Sequence, residues 1–401
     1  MREPFRVRVL NQISESGLSR LPSPRYLVGP DVDAPDAILL RSADLHATTI
    51  PRSVRAIARA GAGTNNIPVA QMSARGVPVF NAPGANANAV KELVLAGLLL
   101  AARNVPEALR FVASIDPDCG DIESLVEQRK KAFSGFELAG QTLAVIGLGR
   151  IGCLVADAAI GLGMDVIGYD PEITVDAAWS LPAQVRKAHS VGEALRAARF
   201  VTLHVPLLAA TRGLINGESL RQAQMGTVLL NFSRDGVVDE PAVLAALDEG
   251  RLHRYVCDFP SAAVNAHARA IALPHLGAST REAEENCARM VADQLRDFLE
   301  NGNVRNSVNF PDTYAPRESA FRVAIANANV PNMLGQISTA MAHADLNINN
   351  MLNKSRGDMA YTIVDVDSPV SREAIAAIER IDGVLSVQYL PAEDGNPPAE
   401  G

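Results

Sequence analysis

Short apolar runs recur through the first 90 residues, "FRVRVL", "YLVG", "AILLRS" and "AIARAG", with polar or proline-containing joins between them. Runs of that length bounded by turn residues predict parallel strands alternating with helices. The longest apolar run, Leu93 to Ala102, falls in a predicted helix from about Ala87 to Arg103 and reads as buried. Five more β-branched runs follow in order: "QTLAVIG", "MDVIGYD", "RFVTLHVP", "GTVLLNFS" and "RYVCDFP". Amphipathic stretches such as "VGEALRAAR" and "EPAVLAALDEG" separate them, which predicts an α/β fold with a doubly wound, Rossmann-type parallel sheet.

A further helix is predicted from Ser279 to about Asn301, where Asn301-Gly302-Asn303 is a stop signal. "SVNFPDTYAPRES" carries two prolines and reads as a linker. Beyond it the strand, helix, strand, strand, helix, strand order of "FRVAIAN", "PNMLGQISTAMAHA", "NINNMLNKS", "MAYTIVDVD", "SREAIAAIERI" and "VLSVQYL" is the ferredoxin-like βαββαβ pattern. The tail from 392 to 401 reads as disordered.

Composition narrows the picture. The 401 residues exceed one ordinary core, so two or three domains are expected. With 48% apolar and 20% charged residues the chain has globular character, and no apolar run is long enough to span a bilayer. "MREPFRVRVL" lacks an export signal, so the cytoplasm is the expected location. Net charge of -8 with scattered basic residues gives no nucleic-acid footprint. Cys119, Cys153, Cys257 and Cys287 form no C-x-x-C pair and read as reduced, packed thiols, with no metal site.

Gly147-Leu148-Gly149-Arg150-Ile151-Gly152 follows a predicted strand and opens a helix. Glycines there permit a tight turn, close approach of a pyrophosphate and close helix packing, and the helix N-terminus favours the anion. Asp170 ends the next strand, where a carboxylate accepts from both ribose hydroxyls and repels a 2′-phosphate, which favours NAD over NADP. Two residues stand where open α/β sheets bind ligands: Arg234 after "GTVLLNFS" and His275 after "AIALP". An arginine matches the geometry of a carboxylate and a histidine exchanges protons near neutral pH, as oxidation of a 2-hydroxy acid requires. As plain structure, the same two would be a surface arginine and a loop histidine. His204 ends a strand on the cofactor side, and the remaining histidines read as surface or capping residues.

Over nearly its whole length the sequence resembles the D-isomer-specific 2-hydroxyacid dehydrogenases. The likeness rests on "ARAGAGTNNIPV", "GVPVFNAPGANANAVKELVLAGLLL", "GQTLAVIGLGRIG", "LLNFSRDGVVDEPAVLAALDEG" and "PHLGASTREAEENCA". It implies a flavodoxin-like substrate domain from 1–88 and 274–308, an NAD-binding domain over 89–273, and an ACT-like module over 319–391. The active site would lie between the first two, in a homodimer or homotetramer. Arg234 would bind the substrate carboxylate and His275 would be the acid/base. Gly147, Gly149, Arg150, Ile151, Gly152, Asp170, His204, Ser233, Asp258, Gly277 and Ala278 would hold the cofactor.

"LLRSADL" resembles the branch of the family that oxidises 3-phospho-D-glycerate to 3-phosphooxypyruvate, the entry to serine synthesis. Arg41 and Ser42 would then meet the phosphate, Gly63 and Asn86 would lie nearby, and Lys130 or Lys131 would add a second contact. In the ACT-like module, Asn327, Asn329 and Asn347 would bind an amino-acid effector such as serine. The sequence departs from the family in one place. Relatives pair the catalytic histidine with a glutamate, and "CDFPSAAVNAH" has none there, so Asp258 is expected to take the orienting role. Two other readings stay open: a glyoxylate or hydroxypyruvate reductase, and a ligand-sensing regulator on the same fold.

Overall fold

The computed structural model describes residues 3–116 and 120–392; Cys119 and nearly all of the predicted disordered tail lie outside the described residues. Among the described residues there are three sheets. Contacts divide the chain into two units, Met1–Asn86 with Arg281–Gly401, and Ala87–Thr280.

In the first unit, β1 (Phe5–Leu10), β2 (Tyr26–Gly29), β3 (Ala37–Leu40), β4 (Ala56–Arg59) and β5 (Val79–Phe80) form a parallel sheet in the order β2-β1-β3-β4-β5. That is the flavodoxin-like winding, whose switch point lies between β1 and β3. β5, in "GVPVF", was not among the predicted strands. It is only two residues long, and a proline precedes it. The helix Arg281–Asn301 buries Cys287, Ala288, Val291, Ala292, Leu295, Phe298 and Leu299, the three- and four-residue spacing of one apolar face. It packs so closely on the short helix Glu15–Leu18 that a Cβ on Gly17 would stand 2.6 Å from that of Ala288.

The same unit carries β13 (Phe321–Ala328), β14 (Ile348–Arg356), β15 (Met359–Val366) and β16 (Val384–Pro391), antiparallel in the order β14-β15-β13-β16. This is the predicted ferredoxin-like pattern and fits an ACT-like module. One of its faces shares a core with the first sheet: Ala324, Ala326, Tyr361, Ile363 and Leu390 join Phe80, Phe298, Val304 and Phe310. The segment read as a linker is therefore packed. Phe310 is fully buried against Tyr361, Ser307 bridges to Phe80, and Val304 bridges to Thr313. Arg322 lies under this segment, wholly buried, with its guanidinium bidentate on Asp365 at 2.7 Å for both bonds. Its other donors reach the carbonyls of Asn301, Ala315 and Pro316.

In the second unit, β6 (Thr142–Ile146), β7 (Asp165–Tyr169), β8 (Arg186–Lys187), β9 (Phe200–Leu203), β10 (Thr227–Asn231), β11 (Leu252–Cys257) and β12 (Ala270–Ala272) are all parallel. Their order β12-β11-β10-β9-β6-β7-β8 is the Rossmann winding, with its switch point between β6 and β9. The helix Ala87–Ala102 buries one face on β10, where a Cβ on Gly97 would crowd Leu230 and Phe232. Its other face is not buried as the sequence suggested: Leu99 is 46% exposed. Cys153 and Cys257 are free and buried here, and Cys287 is so in the first unit. No helix of the described residues is long and apolar enough to cross a membrane.

Candidate active site

β6 ends at Ile146 and turns through Gly147, at φ +94°, into the helix Arg150–Gly161. A Cβ on Gly147 would lie 2.6 Å from the His204 carbonyl oxygen, and one on Gly152 would lie 2.0 Å from the Gly147 carbonyl oxygen. Those two glycines are required by packing. Gly149 is different, because a Cβ there would meet nothing within 4 Å. The open space adjoins the helix's first amides, which have no intrahelical partner and suit a pyrophosphate. Asp170 follows β7 and is pinned beside the loop: Oδ2 accepts from the Leu148 amide at 2.8 Å and Oδ1 from the Glu172 amide at 2.9 Å. Its remaining lone pairs suit vicinal ribose hydroxyls. These residues fit a bound NAD, which supplies the hydride acceptor.

Arg234 sits three residues beyond β10, on a turn built by Asn231. The Asn231 side chain is fully buried; its Oδ1 accepts from the Ser233 amide and hydroxyl, and its Nδ2 donates to the Arg234 carbonyl. The Arg234 guanidinium is exposed, with one bond to the Ser233 carbonyl at 2.6 Å, so its other donors remain for an anion. His275 follows β12 and is exposed, in the left-handed region at φ +57°. Its amide donates to the Leu273 carbonyl at 3.0 Å. Asp258, 2% exposed at the end of β11, accepts from the Leu276 and Gly277 amides at 2.7 Å each. Its two oxygens thus hold the backbone that follows His275. The ring of His275 meets the ring of Phe259.

In the first unit the carboxyl ends of β1, β3 and β4 converge. Asn11, just past β1, accepts on Oδ1 from three successive amides, Arg41 at 3.4 Å, Ser42 at 3.0 Å and Ala43 at 2.7 Å. Arg59, at the end of β4, donates from Nε to the Arg41 carbonyl at 3.0 Å and lies over Gly61. Asn81 donates to the Ala62 carbonyl, which fixes the loop that carries Gly63, and Asn86 directly precedes the helix Ala87–Ala102. Glu284 faces the Arg41 guanidinium at 2.7 Å. Burial raises the pKa of the Cys287 thiol, and the charges of Arg41 and Arg59 oppose that rise.

A family model described as "D-isomer specific 2-hydroxyacid dehydrogenase, NAD binding domain" matches residues 95–277. The D-3-phosphoglycerate dehydrogenase of Haemophilus influenzae is 33% identical over 341 residues, 82% of this chain and 79% of the relative. The chain belongs to the D-isomer-specific 2-hydroxyacid dehydrogenases. It is an NAD-dependent D-2-hydroxyacid dehydrogenase. The enzyme of the same name from Methanocaldococcus jannaschii is 34% identical over 76% of this chain, which spans 57% of that relative. Among solved structures, the NAD+-bound 3-phosphoglycerate dehydrogenase of Entamoeba histolytica superposes with a TM-score of 0.59, at 25% identity, over 76% of this chain and 99% of that one.

Several groups of the candidate site were not singled out from the sequence. Asn11, Asn81 and Asn231 act through the backbone of neighbouring loops, and Arg59 and Glu284 come into play only when distant segments meet. Lys130 is exposed and ion-paired with Glu127; with Lys131 and Arg103 it lines a surface cavity of about 490 Å³. Asn327 and Asn329 line a cavity of about 250 Å³ together with Asn332 and Asn353. Asn347 is not part of that group. Antiparallel register puts it beside Asp367 at the far end of the sheet, whereas Asn327 pairs with Ala360 at the start of β15.

His204 bonds through Nε2 to Thr202 Oγ1 at 3.0 Å, while its Nδ1 is buried without a partner among the described residues. Burial pushes its pKa down to about 3, so the folded ring is neutral. The unfolded chain takes up this proton near pH 6.5 and the folded one does not until about pH 3. The contribution is therefore complete above about pH 6.5 and falls by about 1.4 kcal/mol per pH unit as pH drops through that window. His204→Asn should flatten this slope. Urea midpoints at pH 7 and pH 5 read it, and an equal loss in wild type and variant would reject the assignment. His253, read as a surface residue, is instead half-buried beside Phe136, and burial lowers its pKa too.

Proposed function

We propose that this dehydrogenase oxidises 3-phospho-D-glycerate to 3-phosphooxypyruvate, the first step of serine synthesis. The reading rests on one observation above the others. At the switch point of the first sheet, two arginines, Arg41 and Arg59, stand at the carboxyl ends of β3 and β4, and a phosphate dianion that takes the place of the Glu284 carboxylate on Arg41 suits that pair of cations. The names of the curated relatives support the same substrate.

In this mechanism Arg234 holds the carboxylate and the C2 oxygen, and His275 accepts the C2 hydroxyl proton as hydride leaves C2 for the nicotinamide. Arg41, Ser42 and Arg59 take the phosphate, with Gly63 and Asn86 close by; Lys130, beside Arg103 at the other end of the helix Ala87–Ala102, is not part of this group. Gly147, Gly149, Arg150, Ile151, Gly152 and Asp170 bind the pyrophosphate and ribose side of NAD. His204, Ser233, Asp258, Gly277 and Ala278 border the rest of it, and the unpartnered Nδ1 of His204 supports that placement. Asn327 and Asn329 bind a small polar effector such as serine. A second copy of the chain covers the exposed Leu109 and Val112 of the helix Val105–Ala113.

Arg41→Ala tests the substrate. The KM for 3-phosphoglycerate should rise about 10- to 100-fold, the worth of a charge-assisted contact, with little change for D-glycerate. Initial rates of NADH formation measure both. Wild-type enzyme with a higher kcat/KM for D-glycerate, or for glyoxylate in reverse, would replace this reading with that of a non-phosphorylated 2-hydroxyacid reductase.

A further inference from the structure

We propose that Phe259 is a positioning residue that orients the His275 imidazole through its aromatic ring, with no ionic partner for the histidine. The inference rests on His275 being the acid/base, as proposed above.

A histidine that transfers a proton needs its ring held, because a freely turning imidazole spends most of its time aimed elsewhere. A hydrogen bond to the second ring nitrogen commonly supplies that hold. Here Asp258 turns its two oxygens to the Leu276 and Gly277 amides, and among the described residues no acidic side chain is ion-paired with His275. What meets the His275 ring is the ring of Phe259, edge to face, with centroids 5.4 Å apart and planes at 68°. That is the T-shaped arrangement aromatic rings prefer.

The backbone on both sides is fixed, so the contact can act on ring orientation. His275 is tied by its own amide to the Leu273 carbonyl, by the Asp258 clamp on the next two amides, and by its left-handed φ of 57°. The rotation left to it is that of the side chain. Phe259 continues directly from β11, between the nearly fully buried Asp258 and the start of the next turn, and its carbonyl accepts from the fully buried Cys257 thiol. The ring is thus carried by the same rigid strand end as the clamp. An edge-to-face contact is largely apolar and holds the imidazole both before and after it gains a proton. A carboxylate would favour the charged form.

The test compares Phe259→Leu, which keeps bulk without a ring, with Phe259→Tyr, which keeps the ring. Pre-steady-state NADH formation should slow about three- to tenfold in Phe259→Leu, the worth of an aromatic pair, and return to near wild type in Phe259→Tyr. Neither variant should shift the KM for NAD or hydroxy acid more than about twofold, the signature of a contact that serves proton transfer and not binding. In a His275→Ala background, Phe259→Leu should add no further loss, because the ring acts only through the histidine. Wild-type rates in Phe259→Leu, equal losses in Leu and Tyr variants, or additive losses with His275→Ala would each overturn the proposal. If His275→Ala itself retains full turnover, the acid/base assignment falls first. If His275→Ala is inactive and the Phe259 series is flat, only the present inference falls.

Discussion

His275→Ala is expected to lower kcat for hydroxy-acid oxidation by about 10²- to 10⁴-fold, the usual worth of a positioned general base, with little change in the affinity for NAD. The side chain is exposed and has no part in either core of its unit, so its removal leaves a folded protein. The Asp258 clamp grips the amides of Leu276 and Gly277, neither of which belongs to the substituted residue. The loop should therefore keep its course, and the loss should fall on proton transfer. Single-turnover NADH formation, with NADH binding followed by its own fluorescence, separates the two effects. Near-wild-type turnover in a folded variant would refute the mechanism.

Arg322→Met is expected to destabilise the first unit by about 3–5 kcal/mol, since it leaves Asp365 buried and uncompensated. Asp365 is 1% exposed and is ion-paired with the bidentate Arg322. The lost guanidinium also leaves the buried carbonyl of Ala315, and the partly buried ones of Asn301 and Pro316, without its donors. Replacing both partners, Arg322→Met with Asp365→Leu, should recover much of the loss, because well-packed apolar groups commonly match a buried ion pair. Urea unfolding followed by circular dichroism reads the three variants against wild type. A single-variant loss below about 1 kcal/mol would mean that water reaches the pair.

The parallel sheets were legible because their strands are continuous apolar runs: "AILL" in β3 and "TVLLN" in β10 are buried at every position. The phosphate loop was legible for a related reason. Its glycines are required by close approaches inside one strand-turn-helix unit, so the signal is local. What escaped was non-local. "SVNFPDTYAPRES" has the composition of a linker, and only the meeting of two sheets shows that Phe310 is core. The placement of Asn347 depended on antiparallel register, which no single strand reveals. Asp258 was expected to orient the histidine ring. Its oxygens also accept from the main-chain amides of Leu276 and Gly277, a contact that leaves no mark on residue type.

The core shared by the two sheets of the first unit bears on how such a chain can be recombined. Ser386 reaches the Gly76 carbonyl, and a Cβ on Gly76 would stand 2.6 Å from the Ser386 hydroxyl, so the surfaces fit at backbone resolution. A C-terminal module grafted from a homologue would have to bring matched replacements for Tyr361, Ile363 and Leu390. A chain ended before Phe321 would leave Phe310 and its neighbours facing solvent. The module behaves as a shared wall of the substrate-side unit, and changes in one half must be accompanied by changes in the other.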